Sequence, residues 1–249
     1  MKSLCGICYD PTNNLTLDVH LPESQGFPVV VYFHGGGLEA GDKADGRLPA
    51  ETLTAAGIAV VSANYRMYPQ AAYPDFLRDA AKAVAWVFRE MPAFGSGGEI
   101  YVGGSSAGGY LSQMLCFDET WLSAEGIAQS AVAGFVHDAG QPTCHFNVLR
   151  QRGIDPRRVI IDDSAPIYHI QADRTYPPML VIVADNDMQN RYEQTMLLLS
   201  TLKHFGYSEQ VQLKIMPGRH CAYVGAVDAA GNSVFGGIIR DFIGKHTSL

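Results

Sequence analysis

The stretch Val102-Gly103-Gly104-Ser105-Ser106-Ala107-Gly108-Gly109-Tyr110 decides how this chain folds. Apolar residues precede it, and residues 107–116 are compatible with a helix. Within it, Gly104, Ser106 and Gly108 form the pattern G-x-S-x-G, which is typical of a serine held on a tight turn between a strand and a helix. Glycines suit such a turn, because neighbouring backbone leaves no room for a Cβ atom. Taken alone, the pattern also fits a turn of small residues that has no catalytic role, so its interpretation depends on the rest of the chain.

Strands and helices alternate on both sides of this stretch. The run of β-branched and aromatic residues at 28–33 is typical of a central strand buried on both faces, whereas the alternation at 15–21 indicates a half-buried strand near the sheet edge. Strands are predicted at 15–21, 28–33, 58–64, 100–102, 130–136, 177–184 and 211–216, and helices at 47–56, 74–89, 107–116, 146–151, 192–205 and 234–243. This order predicts an α/β fold with a mostly parallel central sheet and helices on both faces.

The length of 249 residues is compatible with one α/β domain, and we expect residues 1–249 to form it, since no linker or internal repeat interrupts them. Between residues 137 and 168 the periodicity is lost, and three prolines fall in that segment. Long irregular insertions in compact α/β domains are more often functional than decorative. The segment of about 137–168 is therefore predicted to be a small lid over the site.

Composition narrows the possible partners. Apolar residues make up 47% of the chain and charged residues 17%, which is typical of a globular protein. The net charge of −7 and the absence of a basic cluster argue against nucleic acid, and no apolar run reaches the ~20 residues that span a bilayer. The five cysteines form no regular framework, which favours free thiols in the cytoplasm over a metal or redox role for Cys5-Gly6-Ile7-Cys8. The oligomeric state stays open, and a homo-oligomer is compatible with the sequence.

Polar or glycine residues follow four of the predicted strands where each strand ends. The strand at 28–33 leads into His34-Gly35-Gly36-Gly37, and the strand at 100–102 leads to Ser106. The strand at 177–184 leads to Asp185 and Asp187, and the strand at 211–216 leads to His220. The carboxyl ends of parallel strands meet at one edge of a sheet, where ligands bind. We therefore expect glycines, serine, acid and histidine to meet in one crevice, with Asp187 as the acid and Asp185 as the alternative.

Each of these residue types has a role in nucleophilic catalysis. A serine hydroxyl attacks a carbonyl well only when a base takes its proton, and imidazole does so near neutral pH. We assign this base to His220, which Asp187 would orient while Ser106 attacks. Backbone N–H groups must also stabilise the charge that develops on the carbonyl oxygen, and Gly36, Gly37 and Ala107 are the candidate donors.

The motifs together resemble the α/β-hydrolase superfamily, close to the HGGG-type serine esterases that include hormone-sensitive-lipase-like and feruloyl- or acetyl-esterase-like members. The matching segments run through nearly the whole chain: residues 34–37, 62–66, 74–79, 104–108, 184–187 and 218–220. The resemblance implies Ser106, Asp187 and His220 as the catalytic triad, and a buried ion pair between Arg66 and Asp79. Because the HGGG motif lies so early, we expect the chain to depart from the lipase-like branch by lacking its N-terminal cap helices.

We therefore interpret the protein as a serine hydrolase that cleaves carboxylic esters through an acyl-enzyme. The missing cap favours short acyl groups, or acetyl and feruloyl groups linked to carbohydrate. The substrate would be a small molecule, and no cofactor or metal is implied. Two alternatives stay open: an arylformamidase or small-amide hydrolase with the same machinery, and a non-catalytic ligand-binding member of the fold.

Overall fold

The computed structural model describes residues 1–247 and contains an eight-stranded central sheet. The strands are β1 (Lys2–Asp10), β2 (Leu15–Leu21), β3 (Phe27–Phe33), β4 (Ala59–Ala63), β5 (Ser96–Ser105), β6 (Gly134–Asp138), β7 (Met179–Asn186) and β8 (Val211–Arg219). They lie in the order β1-β2-β4-β3-β5-β6-β7-β8. Strand β2 is antiparallel to both of its neighbours, and all strands from β4 to β8 are parallel. The predicted mostly parallel central sheet is confirmed.

Helices cover both faces of the sheet. They are α1 (Arg47–Ala55), α2 (Asp75–Glu90), α3 (Ala107–Phe117), α4 (Thr120–Ala124), α5 (Phe146–Gln151), α6 (Arg191–His204) and α7 (Val234–His246). Alternate residues of β3 pack into two hydrophobic cores, one on each face of the sheet. Val29 and Val31 lie in the core that contains residues of α2, α3 and α6, whereas Val30 and Tyr32 lie in the core that contains residues of α1 and α7. Two buried faces explain why β3 is apolar along its whole length.

The edge strand β1 is absent from the sequence prediction. Most of its residues are exposed, and Gly6 interrupts it with a positive φ of 72° where its pairing with β2 shifts. A solvated, irregular strand carries little of the apolar alternation on which the prediction rests. Because β1 covers it, β2 lies inside the sheet and is buried at nearly every position, instead of half-buried as expected.

The segment between β6 and β7 contains α5 and a 3-10 turn at Pro166–His169. Its first two predicted residues, 137 and 138, belong to β6. Much of the segment is buried, including Thr143, His145 and Asn147, so it packs against the body of the protein. The assignment of residues 1–249 to one domain, and of this segment to a lid, stays a prediction.

Candidate active site

Ser106 lies on the turn between β5 and α3, in a conformation that L residues rarely adopt. Its φ is 55° and its ψ is −108°, and its backbone N–H donates to the carbonyl oxygen of Asp138 over 2.8 Å. A Cβ atom on Gly108 would lie 1.9 Å from the carbonyl oxygen of Phe33. Only glycine fits that close approach of backbone to backbone, and the surrounding chain holds the strained serine in place.

The structure brings Ser106, Asp187 and His220 together in one hydrogen-bonded chain. The Nε2 atom of His220 lies 2.8 Å from the Oγ atom of Ser106, and its Nδ1 atom lies 2.5 Å from Oδ1 of Asp187. The three residues are distant in sequence and come from the ends of β5, β7 and β8. An imidazole held between a hydroxyl and a carboxylate can take the hydroxyl proton while the carboxylate stabilises the imidazolium.

The environment of Asp187 keeps its carboxylate ionised. Its side chain is fully buried, and burial acts to raise its pKa. The hydrogen bond and charge of His220, with the backbone amides of Met188 and Ala184, outweigh that effect and lower the pKa of Asp187 below its ordinary value. The alternative acid, Asp185, is exposed and accepts a hydrogen bond from the amide of Gly218 instead. The geometry therefore favours Asp187 as the partner of His220.

The glycine loop after β3 presents its backbone towards Ser106. Gly36 has a φ of 104°, and a Cβ atom there would lie 1.9 Å from the carbonyl oxygen of Ala40. Within residues 1–247, the amides of Gly36, Gly37 and Ala107 donate to no other protein group. Their role as oxyanion donors beside Ser106 stays a prediction, with which the absence of a protein acceptor is compatible.

His34 and Tyr65 hold the start of this loop. The Nδ1 atom of His34 lies 2.7 Å from the carbonyl oxygen of Gly35, and the imidazole stacks on the ring of Tyr65 with 4.5 Å between centroids. The Tyr65 hydroxyl donates to the carbonyl oxygen of His34 over 2.9 Å. These contacts fix the position of His34 and Gly35 at the start of the glycine loop.

The implied ion pair between Arg66 and Asp79 is present. The Nε and Nη2 atoms of Arg66 donate to the two carboxylate oxygens of Asp79, each over 2.8 Å, and the backbone amide of Arg66 adds a third bond of 2.9 Å. The Asp79 side chain is fully buried and that of Arg66 is 28% exposed. The pair thus fixes the chain after β4 to α2.

Two hydrogen-bonded contacts near the site have no counterpart in the sequence prediction. Asn147, at the start of α5, donates its side-chain amide to the carbonyl oxygen of Gly37 over 2.8 Å. Asp138, at the end of β6, accepts a hydrogen bond from the hydroxyl of Tyr223. Burial raises the pKa of Asp138 to about 6, although the Ser105 and Tyr223 hydroxyls and the charge of His220 act to lower it. No sequence signal pairs these residues, because each contact spans 85 residues or more.

A cavity of about 460 Å³ opens above the serine. Ser106 and His220 line it with the glycine loop, and Tyr32, Leu48 and Val224 add apolar wall. Within residues 1–247, no three His, Cys, Asp or Glu side chains are grouped so that they could hold a metal ion. None of the helices in the same part of the chain is both long and apolar enough to cross a membrane.

Comparison with known proteins identifies the family to which the chain belongs. The BD-FAE family model matches residues 17–147, a little more than half of the chain. Esterase LipC of Mycobacterium tuberculosis is 28% identical over 213 residues, which is 78% of this chain and 52% of LipC. The chain spans between about a quarter and half of the length of the curated relatives it matches.

Solved structures share the fold at low sequence identity. Thermogutta terrifontis esterase Est2 with propionate bound superposes with a TM-score of 0.76 at 20% identity, covering 98% of this chain and 93% of that one. A truncated carbohydrate esterase from gut microbiota gives 0.76 at 19% identity, covering 100% and 97%. Together with the family match, the serine turn and the glycine loop, this likeness shows that the chain belongs to the BD-FAE family of α/β-hydrolases.

Proposed function

We propose that the protein hydrolyses carboxylic esters through an acyl-enzyme. The observation that carries this proposal is the 2.8 Å contact between Ser106 Oγ and His220 Nε2 in a cavity that the glycine loop also lines. A nucleophile, its base and oxyanion donors in one cavity are the parts that acyl transfer requires. The names of relatives such as Esterase LipC support the same activity.

The reaction proceeds in two halves. Ser106 attacks the ester carbonyl as His220 takes its proton, and the amides of Gly36, Gly37 and Ala107 stabilise the oxyanion. His220 then gives this proton to the departing alcohol. Water attacks the acyl-enzyme with the same help and releases the acid. Asp187 holds the imidazole in its tautomer and stabilises the imidazolium in both halves.

The preferred esters are short-chain acyl esters or acetyl and feruloyl esters of carbohydrates. A cavity of about 460 Å³ with a short apolar wall suits a small acyl group better than a long one. The structural neighbours named as a propionate-bound esterase and as a carbohydrate esterase support these two classes. All five cysteines are free thiols, which supports a reducing location, and we place the protein in the cytoplasm.

Turnover of p-nitrophenyl acetate tests the activity. Ser106→Ala should lower kcat/KM roughly a thousandfold or more, because the nucleophile is lost, while the thermal midpoint stays nearly unchanged. Ser105→Ala removes the neighbouring hydroxyl, which hydrogen-bonds Tyr32 at 3.1 Å, and should keep most of the activity. A fluorophosphonate probe should label the wild type at Ser106 and leave the alanine variant unlabelled. Equal turnover by wild type and Ser106→Ala would refute the proposal.

A substrate panel tests the finer assignment. p-Nitrophenyl esters from acetate to octanoate, acetylated and feruloylated sugars, and N-formylanilines should be compared by kcat/KM. We expect the highest values among the short acyl or sugar esters. A higher kcat/KM for the formylanilines would favour the amide-hydrolase alternative, and labelling of Ser106 without any turnover would favour the ligand-binding one.

A further inference from the structure

A second cavity, of about 320 Å³, lies beside the catalytic one, between the segment that follows β6 and the start of α6. Three arginines, Arg157, Arg158 and Arg191, line it together with several side-chain amides, and no Asp or Glu is among its lining residues. The whole chain carries a net charge of −7. A local cluster of positive charge in an acidic protein therefore favours an anion at this place.

Arg191 is buried there without a carboxylate partner. The residue is 4% exposed, and its guanidinium donates to the carbonyl oxygen of Ala139 and, over 3.2 Å, to Oε1 of Gln141. No carboxylate within residues 1–247 lies in ion-pair distance of it. Burial lowers the pKa of Arg191 to about 10, which leaves it charged at neutral pH. The hydrogen bonds of Arg191 all go to neutral groups, and the Asp187 charge acts on it without direct contact, so an anion that enters the cavity stabilises the buried cation further.

The two other arginines stand at the exposed side of the cavity. Arg157 pairs with Asp155, with 2.6 Å between Nη2 and Oδ2, so that part of its charge is already neutralised. Arg158 makes no ion pair with any residue between 1 and 247. Arg158 is thus the accessible cation that a ligand can pair with, and Arg191 is the buried one.

The neutral wall of the cavity is fixed in place. Gln141 accepts from the amide of Phe146 and donates to the carbonyl oxygen of Cys144 over 2.9 Å. Gln194 accepts from the hydroxyl of Thr143 over 3.1 Å. Phe146 and Met188 add apolar surface to the same cavity. A ligand that enters needs an anionic end for the arginines and a short apolar or neutral body for the rest of the wall.

The same apolar residues connect this cavity to the catalytic machinery. Met188 directly follows Asp187 and also lines a surface cleft with His220. Phe146 touches the glycine loop, because its ring lies 3.0 Å from the position of a Cβ atom on Gly37. The cavity is therefore adjacent to the residue that follows Asp187 and to the glycine loop.

We propose that this cavity binds a carboxylate carried by the ester substrate, with Arg158 and Arg191 as its cationic partners. The inference rests on the proposed esterase activity and narrows it to acidic esters, such as half-esters of dicarboxylic acids or esters whose alcohol part carries a carboxylate. Planar guanidinium groups suit a carboxylate, because two parallel N–H groups can meet its two oxygens.

Kinetics on matched ester pairs test the proposal. The first pair is p-nitrophenyl hemiglutarate and p-nitrophenyl valerate, which place a carboxylate or a methyl group at the end of the acyl chain. The second pair is 4-acetoxybenzoate and 4-methylphenyl acetate, which do the same on the alcohol side. Arg158→Gln should lower kcat/KM about tenfold for the acidic member of at least one pair and less than twofold for both neutral members. Arg89 is an exposed arginine of α2, so Arg89→Gln is the charge-matched control. It should change kcat/KM for neither the acidic nor the neutral esters.

The outcomes separate the two proposals. If the wild type turns over the neutral esters and Arg158→Gln affects acidic and neutral esters alike, the carboxylate site is refuted while the esterase activity stands. If no ester is turned over, the activity proposal fails, and calorimetry with glutarate on Ser106→Ala decides the site independently. Binding that weakens about tenfold in Ser106→Ala/Arg158→Gln supports the site, and equal or undetectable binding in both variants refutes it.

Discussion

The side-chain amide of Asn147 donates to the carbonyl oxygen of Gly37 over 2.8 Å, across 110 residues of sequence. The same amide lies 3.3 Å from Oε2 of Glu39, and Arg150 pairs with that carboxylate. Helix α5 therefore holds the far side of the glycine loop, while His34 holds its start. The loop has to keep its amides aimed at one point, since oxyanion stabilisation depends on donors that are already in place.

Asn147→Ala should lower kcat on p-nitrophenyl acetate roughly fivefold and change KM less than twofold. The lost hydrogen bond corresponds to about 1 kcal/mol, and the loop amides matter most when charge develops on the carbonyl oxygen. Steady-state kinetics normalised to folded protein measure the change. Asn232→Ala, at an exposed loop before α7, is the control and should leave kcat unaltered. An unchanged kcat for Asn147→Ala would show that the contact serves stability alone.

Separate substitution of Asp185 and Asp187 identifies which of the two carboxylates orients His220. Asp187→Asn should reduce kcat by roughly 10³–10⁴, because an amide at this position favours the wrong imidazole tautomer and cannot stabilise the imidazolium. Asp185→Asn should cost less than tenfold, since Asp185 contacts the Gly218 amide and not His220. Both rates are measured on p-nitrophenyl acetate. A larger loss in Asp185→Asn would reassign the acid.

The Arg66–Asp79 pair should act on stability and not on the chemical step. Asp79→Asn removes a fully buried charge from three donors of Arg66, and we expect a loss of about 3 kcal/mol in the free energy of unfolding. Urea unfolding followed by circular dichroism measures it, and kcat per folded molecule should stay within threefold. Arg78→Gln, which breaks an exposed pair with Asp75, should cost less than about 0.5 kcal/mol. Equal losses of unfolding free energy in Asp79→Asn and Arg78→Gln would contradict the stabilising role of the buried pair.

Asp138 should make stability depend on pH between about 4 and 6. Its pKa is raised to about 6 in the folded protein, so in this window the folded state binds more protons than the unfolded state does. Stability therefore falls as pH rises through the window, and this contribution is fully present only below the ordinary aspartate pKa. Asp138→Asn removes it, and the free energy of unfolding of the wild type relative to the variant should decrease by about 2 kcal/mol from pH 4 to pH 6.

Chemical unfolding at several pH values measures that difference. All other titrating groups are shared by the two proteins, so their contributions largely cancel in the comparison. The closest charged and titratable neighbours of Asp138 are Tyr223, Cys221, His220 and Asp187. A difference that is independent of pH would mean that Asp138 titrates near its ordinary value.

Much of the fold was predictable because it rests on local patterns. The buried strands β3, β4, β5 and β7 carry β-branched or aromatic runs, and helix α2 carries the 3.6-residue period, so their existence and order follow from the sequence. Edge strand β1 was missed, since a solvated strand has no apolar face to signal it. Helix α4 was also missed, because five residues are too few to establish a period.

By itself, the sequence determined the fold class, the turn that presents Ser106, and the candidates Gly36, Gly37, Ala107, Asp187 and His220, because each occupies a strand end whose chemistry is local. Only the tertiary structure placed His220 against Asp187 instead of Asp185, paired Asn147 with Gly37, buried Asp138 against Tyr223, and gathered Arg158 and Arg191 around one cavity. These are contacts between side chains of distant segments, and their geometry is set by how the parallel sheet brings its strand ends together. No local pattern encodes a distance between residues a hundred positions apart.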